Sequence, residues 1–61
     1  MTAKKSVLAI YPYARAEEYN AGYLIAEKSM IYLSYLRTTE KQAWQSAWEG
    51  IQIMMLKKLE S

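Results

Sequence analysis

The stretch Ala14–Arg37, ARAEEYNAGYLIAEKSMIYLSYLR, decides what kind of molecule this chain makes. Ala16, Tyr19, Tyr23, Ala26, Met30 and Leu33 recur at intervals of three and four, the spacing that places side chains on one seam of an α-helix. Glu17, Asn20, Glu27 and Ser34 fall on the opposite face. Glu17 and Glu18 stand in the first turn of such a helix and Arg37 in its last, as the helix dipole favours. Leu24, Ile31 and Tyr35 form a second apolar line beside the first, so the predicted helix has two sides to cover. Gly22 in its interior costs about 1 kcal/mol relative to alanine, a cost that close approach of another helix would offset.

Working outward toward higher numbers, the pattern breaks at Thr38 and Thr39. Thr39 reads as an N-cap, with Gln42 three residues on to complete a capping box and Glu40 in the first turn. A second helix over 40–59 follows. Trp44, Ala47, Trp48, Ile51, Met54, Met55 and Lys58 lie on one broad face, with Gln45, Glu49 and Gln52 on the other. Toward lower numbers, residues 1–13 hold the single proline and a β-prone run, SVLAIY, without a second strand to pair with. These residues are expected to form an extended arm.

The expected fold is therefore all-α: a two-helix hairpin (helix 14–37, turn 38–39, helix 40–59) carrying an N-terminal arm over 1–13. Its helices would be about 36 Å and 30 Å long at 1.5 Å per residue. Trp44, Trp48, Ile51 and Met55 are expected to pack on Tyr19, Tyr23, Met30 and Leu33. Two helices cannot cover two broad apolar faces, so pairing of hairpins into a four-helix homodimer is expected. Leu24, Ile31, Tyr35, Ile53, Met54 and Leu56, with Tyr11 and Tyr13 from the arm, remain for a partner-binding surface.

Composition narrows the function. A chain of 61 residues buries a small share of its surface and is marginal alone. Small proteins offset this with disulfides, metals or association. There is no Cys, no His and no Asp, which excludes disulfides and leaves six scattered glutamates as the only acidic side chains. No cofactor, metal or small-molecule substrate is expected. Without His or Cys, the commonest general base and the strongest nucleophile are missing, and Gly22 and Gly50 are too isolated to form a phosphate loop. The chain reads as a non-enzyme. Lys4 and Lys5 before SVLAIYPYA resemble the start of an export signal, but Tyr11, Pro12 and Tyr13 interrupt the apolar run. The longest apolar candidate, Tyr19 to Leu36, holds Glu27 and Lys28 in its middle, too polar for a membrane span. A cytoplasmic protein is expected.

Net charge is +2, from eight basic and six acidic residues. Tyrosine is the unusual resource, at six residues, and together with the two tryptophans it supplies side chains suited to interfaces.

Tyr19–Gly22 (YNAG), then Tyr35, Trp44 nine residues on and Trp48 four further, resemble the ribosome modulation factor family. The likeness spans about half the chain. Departures are Ser34 in place of a proline, two extra residues between Gly22 and Tyr35, Ala47 in place of a glycine, and a much lower density of basic residues. The resemblance implies a small helical protein associated with the ribosome and modulating translation. In that case Arg15, Lys28, Arg37 and Lys41 would contact RNA phosphates.

From the residues themselves, the expected function is a small non-enzymatic regulatory protein that binds a target protein through an aromatic and Met-rich surface and modulates or inhibits it. Small inhibitors of phage or mobile-element type share this compositional profile.

Overall fold

A computed structural model describes residues 2–28 and 31–60, the last two for their backbone only. The chain folds as helix α1 (Ala3–Ile10), strands β1 (Arg15–Tyr19) and β2 (Gly22–Ala26), and helix α2 (Glu40–Glu60). This mixed α/β architecture replaces the all-α hairpin. The helix expected over 14–37 is instead an antiparallel β-hairpin followed by an irregular third segment. A four-helix pairing of hairpins accordingly has no basis in the fold. Only the helix expected over 40–59 appears in its place, as α2.

The reason lies in Asn20, Ala21 and Gly22. β1 and β2 pair in the register Arg15↔Ala26, Glu17↔Leu24, Tyr19↔Gly22, with Asn20 and Ala21 as the loop. Gly22 has φ +145°, and a Cβ there would collide with the carbonyl of Arg37. What the helical reading counted as a cost is the backbone freedom that the turn requires. The period-2 face of the hairpin then takes over from the helical seam: Ala16, Tyr23 and Ile25 turn toward the core, and Ile25 is completely buried. Tyr19, on the expected seam, is exposed.

The chain from Ile31 to Arg37 runs antiparallel to β2 on the side away from β1. Ala26 faces Tyr32 and Tyr23 faces Arg37, so the four residues 23–26 of β2 meet the six residues 32–37 and the third segment bulges. Tyr23 and Arg37 exchange N–H···O=C bonds of 2.7 and 3.0 Å, and the Leu33 N–H donates to the Ile25 carbonyl at 2.7 Å. At the bulge the Ile25 N–H, lacking a backbone acceptor, donates to the Ser34 hydroxyl at 2.9 Å.

The expected extended arm is also a helix. Thr2 caps α1 by accepting from the Lys5 N–H at 3.2 Å, and the Tyr11 N–H closes the last turn on Val7 at 2.7 Å. Pro12 ends it, since the residue before a proline is biased away from helical backbone. The β-branched residues of SVLAIY suggested a strand. Tertiary packing overrides that weak preference: Val7 is completely buried, and Ala3, Leu8 and Tyr11 pack around it.

α2 closes the core. Ala43, Trp44, Ala47 and Ile51 are buried with Val7, Ala14 and Ile25, and Trp48, Tyr23 and Leu33 are partly buried against them. Ala43 and Ala47, both fully inaccessible, leave room for close packing. Of the pairings expected in the core, Tyr19 and Met55 are exposed, and Met30 lies outside the described residues. Thr39 caps α2 as expected, accepting from the Gln42 N–H at 3.2 Å. The Gln42 side chain, however, accepts from the Thr38 hydroxyl at 2.7 Å.

Candidate functional site: an apolar helix projection

α2 is 21 residues long, about 31 Å, but its last buried side chain is Ile51. From Gln52 to Lys58 every side chain is exposed. The helix thus projects roughly 13 Å past the body. That projection carries Ile53, Met54, Met55 and Leu56 in succession, and Leu56 keeps 60% of its surface exposed. Successive helical residues point about 100° apart, so four in a row surround the helix with apolar surface.

The third segment runs beside α2, away from this projection and toward the start of the helix. The Tyr35 N–H donates to the Ser46 hydroxyl at 3.3 Å, and Leu33 passes Gly50 with its carbonyl 3.7 Å from where a Cβ would stand. Between them lies a shallow pocket of about 270 Å³ lined by Tyr32, Leu33, Ser34, Tyr35, Ser46 and Gly50. Ile31 and Tyr35 are exposed along this edge, Tyr35 by 76%. Of the expected partner-binding residues, Ile53, Met54 and Leu56 share the projection, while Ile31 and Tyr35 are exposed on the third segment. The other three lie elsewhere: Leu24 is half-buried on β2, Tyr11 is half-buried against the core, and Tyr13 is exposed in the turn before β1. Met55, 45% exposed, also belongs to the projection.

The four residues considered for RNA phosphates do not converge. Arg37 and Lys41 line one groove of about 680 Å³ at the start of α2. Arg15 and Lys28 belong to the opposite end of the hairpin, where β1 begins and β2 ends. Arg15 is engaged with Glu17 at 2.8 Å, and Arg37 lies over the Tyr35 ring at 5.7 Å. A second groove, of about 620 Å³, lies between the first turn of α1 and α2 and includes Trp44 and Trp48. There Lys4 covers the Trp44 ring at 5.7 Å, and the Trp44 indole N–H donates to Glu40 at 3.0 Å.

On the sheet face away from the core, the Tyr19 hydroxyl donates to Glu17 at 2.8 Å. This bond holds the Glu17 carboxyl below its usual range; desolvation opposes it, and the hydrogen bond and charge of Arg15 add to the lowering. The same bond, with Tyr32 contributing, pushes the Tyr19 phenol up to about 12.

Among the described residues no polar or charged side chain is buried, and no acidic group of three or more is placed to hold a metal. No helix there is long and apolar enough to cross a membrane.

No protein-family model matches this chain. Neither the curated proteins nor the solved structures contain a significant match to it.

Proposed function

We propose that this is a small non-enzymatic regulatory protein of the cytoplasm that modulates or inhibits a target protein by presenting the projecting half of α2 to an apolar groove. The observation that carries this reading is the run Ile53–Leu56, exposed on all sides of a helix that continues past its own core. An exposed amphipathic or apolar helix laid into a groove is a recurring mode of protein recognition. Branched Ile53 and Leu56 supply fixed shape, and Met54 and Met55 supply adaptable surface. The edge at Ile31 and Tyr35 widens the contact, and the pocket beside Gly50 accepts one side chain from the target.

The test compares capture of partners from host lysate by the wild-type chain and by Ile53→Glu and Leu56→Glu, with washes at low and high salt. The expected result is a protein target that survives high salt, is lost with either substitution, and is bound by the purified wild-type chain. Circular dichroism should show both variants folded. Ribosomal particles released between about 50 and 200 mM salt, and bound equally by both variants, would replace this reading with a ribosome-associated modulator.

A further inference from the structure

β1 forms an outer edge of the sheet. α1 packs on α2, and the third segment pairs with the far side of β2, so neither covers that edge. The bonding pattern fixes which backbone groups it presents. Tyr23 and Ile25 use their N–H and C=O groups toward the third segment. Gly22, Leu24 and Ala26 must therefore bond β1, opposite Tyr19, Glu17 and Arg15. This leaves Ala16 and Glu18 with their N–H and C=O groups directed outward. The same alternation, continued one residue before β1, directs the Ala14 carbonyl outward, while the Ala14 N–H donates to the Tyr11 carbonyl at 3.0 Å. An edge of this kind is a template for another strand unless something blocks it.

Antiparallel pairing of β1 with a second copy of itself is restricted by that phase and by charge. A two-fold axis at position 15 sets Arg15 against Arg15, and one at 17 sets Glu17 against Glu17. An axis at 18 sets Glu18 against Glu18. Like charges directly opposite each other destabilise a strand pair. An axis at Ala16 instead places Arg15 opposite Glu17 of the second copy, twice. These are non-hydrogen-bonded positions, where Cα atoms approach to about 4.5 Å and side chains meet most closely. Small Ala16 stands at the centre.

We propose that β1 pairs antiparallel with β1 of a second copy, centred on Ala16, so that one sheet runs through a homodimer. Ala16 exchanges both of its backbone bonds across the axis, and the Glu18 N–H donates to the Ala14 carbonyl of the other copy. Tyr13, 77% exposed, comes beside Tyr19 of the second copy. The surface is small, so the dimer is weak and reversible. It leaves the projection of α2 free and does not depend on the function assigned to it.

The test is sedimentation equilibrium over a concentration series at low ionic strength. Wild type should dimerise reversibly. Arg15→Glu and Glu17→Arg should each weaken association by about tenfold or more, since each turns two unlike pairs into like ones. An equimolar mixture of the two variants should recover the wild-type constant, because every heterodimer regains two unlike pairs. As a measurement without substitutions, the Ala16 and Glu18 amides should become more protected from hydrogen exchange as concentration rises, while the Glu17 amide should not change. A wild-type chain that stays monomeric throughout overturns the proposal. So does a dimer indifferent to both charge reversals, or one dissociated by Leu56→Glu in their place.

Discussion

The hydroxyl of Ser34 holds the place that a backbone carbonyl would take in a regular ladder. It accepts from the N–H of Ile25 at 2.9 Å and donates to the Tyr35 carbonyl at 3.1 Å. Ile25 is inaccessible to solvent, so Ser34→Ala leaves its donor without an acceptor. We expect a loss of about 1–3 kcal/mol, read as a drop in Tm, whereas Ser34→Thr should retain most of the stability. At Glu17 and Tyr19 the controlling variable is pH. Their hydrogen bond needs an ionised carboxyl and a neutral phenol. The lowered Glu17 pKa contributes stability that is present above its ordinary value of 4.5 and lost as pH falls through the folded value. The raised Tyr19 pKa contributes stability that is present below the ordinary 10 and lost as pH rises toward about 12. Absorbance titration of the tyrosines should show one that ionises near 12. Glu17→Gln should return that step toward the ordinary range; an unchanged step would assign it to another cause. Tyr19 is exposed and the Glu17 side chain keeps 28% of its surface in solvent, so screening keeps the effect on global stability small.

Among the elements, α2 was the most legible. Its start at Glu40 follows from the Thr39 cap, and Ala43, Trp44, Ala47 and Ile51 keep helical spacing because a single helix face meets the core. The hairpin was not legible from spacing, since Ala16, Tyr19, Tyr23 and Ala26 satisfy a helical period while Ala16, Tyr23 and Ile25 satisfy a strand pairing. Asn20-Ala21-Gly22 held the deciding information, and reading Gly22 as a turn position would have recovered both strands. The third segment offers no comparable signal, because its bulge depends on Ser34 and Ser46 reaching partners distant in sequence. The apolar surplus around Ile53, Met54 and Leu56 was legible as composition, but its location required knowing where the core ends. That division of α2 predicts a sharp asymmetry. Ile51→Ala should cost about 2–4 kcal/mol, while Ile53→Ala, only two positions on, should stay within about 0.5 kcal/mol. Chemical denaturation of the two variants measures it, and similar losses would mean that Ile53 is covered.

For the whole molecule, the core is a short column: Val7 from α1, Ile25 from the sheet, and Trp44 and Ile51 from α2. The overall extents of 38 × 25 × 19 Å show how far the molecule departs from a sphere, with the longest dimension about twice the shortest. Helical hydrogen bonds around Ala43–Ala47 open only when the column comes apart, so their amides should exchange at the rate of global unfolding. Those beyond Gln52 answer to helix–coil fraying and should exchange faster by orders of magnitude. Uniform protection along α2 at a concentration where the chain is monomeric would contradict this picture. One consequence concerns the thermodynamics of recognition. A projecting helix that frays when alone must be straightened by whatever it docks against, so association carries an ordering entropy beyond that of bringing two rigid bodies together. Raising the intrinsic helicity of Gln52–Lys58 without touching Ile53 or Leu56 should therefore tighten the complex, and calorimetry should locate the gain in entropy while the enthalpy from new contacts stays constant.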